Sequence, residues 1–185
     1  MTAMPHPEFL SDGVVELRRW HENDVSAVQH ARDWTLEQAT AWVTRQQTRP
    51  AAVGVSCAVA LSGQSAAGYA GLIRRPRVEM GVVRVAAAEE LVYQAHQRIV
   101  GIGYWIAPEV RRQGFATRAV TLLSRWALQI AGVYRIEALL DPRNVGSRRV
   151  IEKSSFHAEG RLRSYFELDE VITDALVFSL LASDL

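Results

Sequence analysis

Lysine is almost missing from this chain. Lys153 is the only one, and arginine supplies the rest of the 21 basic residues. Without a Gly-Lys-Ser/Thr triplet there is no P-loop, and no turn carries the Gly-x-Gly-x-x-Gly of a dinucleotide site. Cysteine is equally scarce. Cys57 stands alone, which excludes an intrachain disulfide and points to a reducing, cytoplasmic setting. Within its apolar run, Cys57 reads as a packed thiol rather than a nucleophile. No apolar run reaches the ~20 residues that cross a bilayer, and residues 1–10 hold no apolar core of the signal-peptide kind. Nor is there an excess of charge: the net value of +1 speaks against a nucleic-acid or membrane surface. His6, His21, His30, His96 and His157 show no metal-ligand spacing, so no metal site is expected.

What remains is an ordinary globular composition. With 185 residues, 49% of them hydrophobic and 22% charged, the chain suits a single domain over 1–185 with a sizeable core. Residues 1–12 read as a loose leader, and 14–20 alternate as a first strand. Asn23 or Asp24 is placed to cap a helix through Val25, Val28 and Ala31. Thr35 and Gln38 have the spacing of a capping box, opening a helix with Leu36, Ala39, Trp42 and Val43 on one face. Strands at 53–61 and 68–73, separated by a short polar turn, predict an antiparallel hairpin. Residues 74–98 form an insertion whose structure the pattern leaves open. Beyond 131, a strand at 133–140, a helix at 145–154 capped by Asn144, and strands at 156–166 and 172–181 complete a mixed α/β order around one twisted sheet.

The stretch 99–131 organises the rest. An apolar strand, 99–106, runs into a turn, and Arg111-Arg112-Gln113-Gly114-Phe115-Ala116 follows. Ala119, Val120, Leu123, Trp126, Ala127 and Ile130 then recur at helical spacing, with Gly132 as a stop. A helix start after a Gly-bearing turn offers unpaired N–H donors and the positive end of the helix dipole to an anion. The turn pattern itself is loose. Arg98-Ile99-Val100-Gly101-Ile102-Gly103 matches it too, but that copy opens a strand and has no helix after it. Context selects the copy at 111–116.

On these residues the chain resembles the Gcn5-related N-acetyltransferases, and among them the ribosomal-protein N-terminal type. The text from Gly103 to Thr117 carries the first match. Asp141-Pro-Arg-Asn-Val-Gly-Ser-Arg-Arg-Val-Ile-Glu-Lys-Ser-Ser-Phe156, followed by Glu159-Gly160, carries the second. Leu17-Arg-Arg-Trp20 with Asp24, and Asp174 to Leu185, match more weakly. The resemblance implies a mostly antiparallel twisted sheet with helices on both faces and a splayed central strand pair. It implies acetyl-CoA as co-substrate and direct transfer of acetyl to an amine. The backbone of Arg112, Gln113, Gly114, Phe115, Ala116 and Thr117 would hold the pyrophosphate, and Trp105 and Ile106 would pair with the pantetheine arm. Asn144 would contact the cofactor, and Ser147 would serve the departing thiolate, a task many family members give to a tyrosine. No tyrosine stands near Ser147 in the sequence.

The resemblance places a glutamate base a few residues past Glu159-Gly160, where this chain has Phe166 with Glu167 beside it. Glu79, Glu89, Glu90 and Glu167 are the alternatives, and an α-amine titrating near ~7.7–8.0 needs little help from any of them. Three readings of function stay open: transfer to a protein N-terminus, transfer to a small amine such as an antibiotic or polyamine, and a non-catalytic acyl-CoA-binding role. A shallow apolar cleft would favour a peptide end, and a deep acidic one a polycation. Related proteins often pair as homodimers.

Overall fold

The structure, a computed structural model, describes residues 4–50, 53–61, 64–74, 98–168 and 170–185. Its strands are β1 (Phe9–Ser11), β2 (Val15–Arg18), β3 (Gly54–Leu61), β4 (Ala66–Arg74), β5 (Ile99–Ile106), β6 (Arg135–Leu140), β7 (His157–Leu168) and β8 (Val171–Leu181). They form one sheet in the order β1-β2-β3-β4-β5-β6-β8-β7. Every pairing is antiparallel except that of β5 with β6. The helices are α1 (Val25–Arg32), α2 (Leu36–Gln47), α3 (Phe115–Gln129) and α4 (Val145–Lys153).

Two apolar layers hold the sheet. On one face α3 buries Ala119, Val120, Leu123 and Ala127 against Leu17, Leu72, Val100, Ile136 and Leu180. Burial of a Leu or Val of this kind contributes about 1.5–3 kcal/mol. The helical stripe read from sequence holds as far as Ala127; Ile130 is 70% exposed, because the helix ends at Gln129 and Ile130 only caps it. On the other face α1 and α2 place Val28, Ala39 and Val43 with Trp20 and Ala58, and Trp34, Trp42, Tyr69 and Trp105 pack against them. Strand alternation divides β5 between the layers: Tyr104 packs into the first and Trp105 into the second.

The N-terminal expectation needs correcting. Residues 9–11 form β1 on β2, and Met4 is buried at 3% exposure. The pairing of β2 with β3 ends at Arg18↔Ala58, so the edge of β3 at 54–57 needs cover. His6 supplies part of it through Nε2, 2.9 Å from the Ser56 carbonyl. A second correction concerns Asp24, whose side chain does not cap α1. It is buried, accepts two 2.8 Å bonds from Arg18, and accepts from the backbone N–H of His21 and of Ala66. Burial pushes its carboxyl up, but the Arg18 guanidinium and the two amides outweigh that and hold it below the usual range. The capping box at Thr35 and Gln38 forms as read, with both reciprocal bonds present, and β3 and β4 make the expected hairpin. Most of the 74–98 insertion, residues 75–97, lies outside the described residues.

Candidate active site

The parallel ladder between β5 and β6 is short. It runs through Ile99↔Arg135, Val100↔Ile136 and Gly101↔Glu137, and stops. Beyond it β5 stays paired with β4 as far as Ile106↔Gly68, while β6 stays paired with β8 as far as Leu140↔Leu176. The two central strands therefore part like a V. Between them, the edges of β5 at 102–106 and of β6 at 138–140 have no strand partner among the described residues. Unpaired edge amides and carbonyls are what an extended ligand rich in amide groups can complete.

At the open end of the V, the chain leaves β5 through a single 3₁₀ turn, Pro108–Val110, and enters α3. Arg111 folds back so that Nε donates to the Ile106 carbonyl at 2.9 Å. That carbonyl thus accepts one bond from within the chain and keeps a second lone pair. Gly114 is the N-cap of α3 at φ 83°, and no side chain caps the helix. A left-handed residue at a helix entry explains the glycine. The space where its side chain would project is open, with nothing within 4 Å. Arg112 also has a positive φ, 64°, so the turn is bent twice within three residues. The result is a twice-bent loop, exposed at 112–114, that leads into the uncapped, positive end of a 15-residue helix, where free backbone N–H groups suit a phosphate group.

Asn144 caps α4, its Oδ1 accepting from the Ser147 N–H at 3.0 Å. The cap role read from sequence is thus real, and it uses the oxygen, leaving the amide NH₂ of this exposed side chain facing outward. Ser147 has a partner that the sequence did not reveal. The Tyr104 hydroxyl, from β5, donates to the Ser147 carbonyl at 3.0 Å and lies 3.0 Å from Ser147 Oγ. A tyrosine therefore does stand beside Ser147, brought there from 43 residues earlier. The two hydroxyls bridge β5 and α4, elements on opposite sides of the V. Burial pushes the Tyr104 phenol up, with the Ser147 bond opposing, so it keeps its proton at neutral pH.

Of the acids considered as bases, Glu79, Glu89 and Glu90 lie outside the described residues, and Glu167 is exposed near the β7–β8 turn. Glu159 is committed elsewhere: Arg135 and Ser179 bond its carboxylate and hold it down to about 2. Burial pushes the Cys57 thiol up to about 12, which makes it inert packing. Among the described residues no group of three or more His, Cys, Asp or Glu could hold a metal ion, and no helix is long and apolar enough to cross a membrane.

Known proteins resemble this arrangement in sequence and in fold. The Bacillus subtilis protein named "Probable N-acetyltransferase YjcK" is 39% identical over 83 residues, 45% of this chain and 46% of that protein. The chain spans about half the length of the curated relatives it matches. Among solved structures, an acetyltransferase of the GNAT family from Bacillus anthracis is similar in fold, with TM-score 0.75 and 18% identity over 94% of this chain and 98% of that one. Mycobacterium smegmatis RimJ in complex with CoA-disulfide gives TM-score 0.74 and 22% identity over 95% and 86%. At such identities the likeness concerns the fold. The model of the acetyltransferase (GNAT) domain matches residues 13–157, most of the chain, and on that match the chain belongs to the GNAT acetyltransferase family.

Proposed function

We propose that this protein transfers an acetyl group from acetyl-CoA to a protein N-terminal α-amine, by direct attack within a ternary complex in the cytoplasm. The observation that carries the reading is the V between β5 and β6, which ends on the uncapped, glycine-entered start of α3. Acetyl-CoA supplies an activated acyl group on a thiol leaving group. Its anionic end fits the N–H loop at 112–117, and its amide-bearing arm fits the unpaired edge at 102–106.

The chain's own contributions follow from position. An N–H near Trp105 polarises the thioester carbonyl as charge builds on its oxygen. Tyr104 and Ser147 present a hydroxyl pair to the departing sulfur. Tyr104 is the stronger acid of the two and stays protonated, so it can feed a proton through Ser147 or orient that hydroxyl. Asn144 offers its NH₂ to the arm. An α-amine titrating near ~7.7–8.0 attacks without a dedicated base.

A thiol-release assay with acetyl-CoA and a panel of N-terminal peptides, polyamines and aminoglycosides tests this. Turnover of peptides above the other amines is expected. Tight CoA binding with no turnover of any amine would favour the non-catalytic reading instead. For self-association, Leu162, Tyr165, Val171 and Ile172 are exposed apolar residues on the β7–β8 hairpin and support a homodimer through that edge. Sedimentation that shows only monomer at high concentration would exclude it.

A further inference from the structure

The face of the sheet that carries Trp105 holds a hollow of about 190 Å³ walled by Trp34, Trp42, Tyr69 and Trp105. Gly71 and Gly103, directly paired across β4 and β5, lie on that same face of the sheet. The Tyr69 hydroxyl lies where a Gly71 side chain would be, 2.1 Å from its Cβ position. The ring is thereby laid along the strand. Two guanidiniums stand at the rim. Arg32 sits 5.0 Å over the Trp34 ring and 5.7 Å from that of Trp105. Arg49 donates to Gln46 Oε1 at 2.8 Å. Among the described residues neither has a carboxylate partner and no acidic residue lines the hollow.

Gln46 and Arg49 also line a second, larger hollow of about 470 Å³ with Arg19, His6 and Ser56, again without an acid among the described residues. The two hollows share Gln46 and Arg49 as walls. Joined through these shared walls they would form one track from Trp105, beside the open end of the V, to His6, with Arg32, Arg49 and Arg19 along it.

We propose that this track receives the acceptor, and that it selects a peptide N-terminus bearing carboxylates in its first few residues. The inference rests on the N-terminal reading above and sharpens it. Aromatic walls suit an uncharged first side chain. The continuation past Arg49 suits an extended chain more than a compact amine. Unpaired guanidiniums attract carboxylates and repel the ammonium groups of polyamines and aminoglycosides. At an exposed rim each such charge changes affinity by about two- to fivefold, so two of them give roughly tenfold.

The test compares kcat/KM for acetylation of three peptides that differ only at positions two and three, carrying Asp-Asp, Ala-Ala or Lys-Lys. The expected order is acidic, neutral, basic, spanning about tenfold at low salt and shrinking as salt is raised. In the Arg32→Glu variant the order should flatten or reverse; Arg32 is exposed, so the change is compatible with folding. Arg19→Glu, also exposed, is the second variant. Quenching of tryptophan fluorescence by the acidic peptide, lost in Arg32→Glu, gives a binding readout independent of turnover. If the neutral peptide is acetylated and charge at positions two and three changes nothing, this inference is wrong while the N-terminal reading stands. If no peptide is acetylated but a small amine is, both fall.

Discussion

The two faces of the sheet solve different problems. On the α3 and α4 side, the proposed function is carried mainly by backbone: a bent turn, an uncapped helix start and an interrupted ladder, with the Tyr104–Ser147 hydroxyls and Asn144 added to it. On the α1 and α2 side it is carried by side chains, four aromatic residues and the arginines around them. Backbone recognition suits a ligand that never changes. Side-chain recognition is what sequence divergence can retune for a different acceptor without disturbing the fold. The comparison teaches that family membership speaks for the first face and says little about the second.

The largest expected effect lies on the aromatic face. Trp42 packs edge-on against Trp20 at 4.9 Å and contacts Trp34, Tyr69 and Trp105. Trp42→Ala should cost about 3 kcal/mol of stability, the low end for a large aromatic because the ring is only half-buried. Urea unfolding measures it; a loss under 1 kcal/mol would mean the cluster is a loose lining rather than a core. On the backbone face, Gly114→Val forces a β-branched residue to φ 83°, a strain of ~1–3 kcal/mol. CoA affinity should fall about 10- to 100-fold by calorimetry with the fold intact. Unchanged affinity would remove the turn from the site.

Next come the bridging hydroxyls. Tyr104→Phe and Ser147→Ala should each lower kcat about tenfold, and the double variant should lose little more than either single one, because the pair acts as a unit. Additive losses would separate their roles. The smallest effect lies away from both faces. Glu159, held down to about 2 against an ordinary value near ~4.3, contributes stability that is fully present above pH ~4.3 and lost as pH falls toward ~2. Its side chain is 40% exposed, so screening limits that contribution to about 1 kcal/mol or less. Acid titration of Glu159→Gln should show a correspondingly shallower loss.

The same contrast explains what could be read in advance. The strand, turn and helix of 99–129, the capping box at Thr35 and the Asn144 cap follow from rules spanning a few residues; only the last position of the helical stripe, Ile130, departs, because the helix ends before it. Resemblance added the V. The Tyr104–Ser147 contact joins residues 43 apart in sequence, and no periodicity announces it. Strand alternation says only that Tyr104 and Trp105 face opposite ways. The aromatic hollow draws on residues from α2, β4, β5 and the α1–α2 link, which only tertiary structure assembles. Asp24 has the residue type of a helix cap, which buried ion-pair acids share; the difference lies in Arg18 and Ala66, outside the local window. Residues 4–12 carry no pattern of their own, and their order comes from the edges they cover on β2 and β3.

The division of labour between the faces is open to one direct measurement. In a backbone and indole amide NMR titration with CoA alone, the amides at 112–117 and along 102–106 should shift, while the indole N–H signals of Trp34 and Trp42 stay in place. Those indoles should move only when an acceptor peptide is added. Indole signals that respond to CoA while the 112–117 amides remain still would contradict the account.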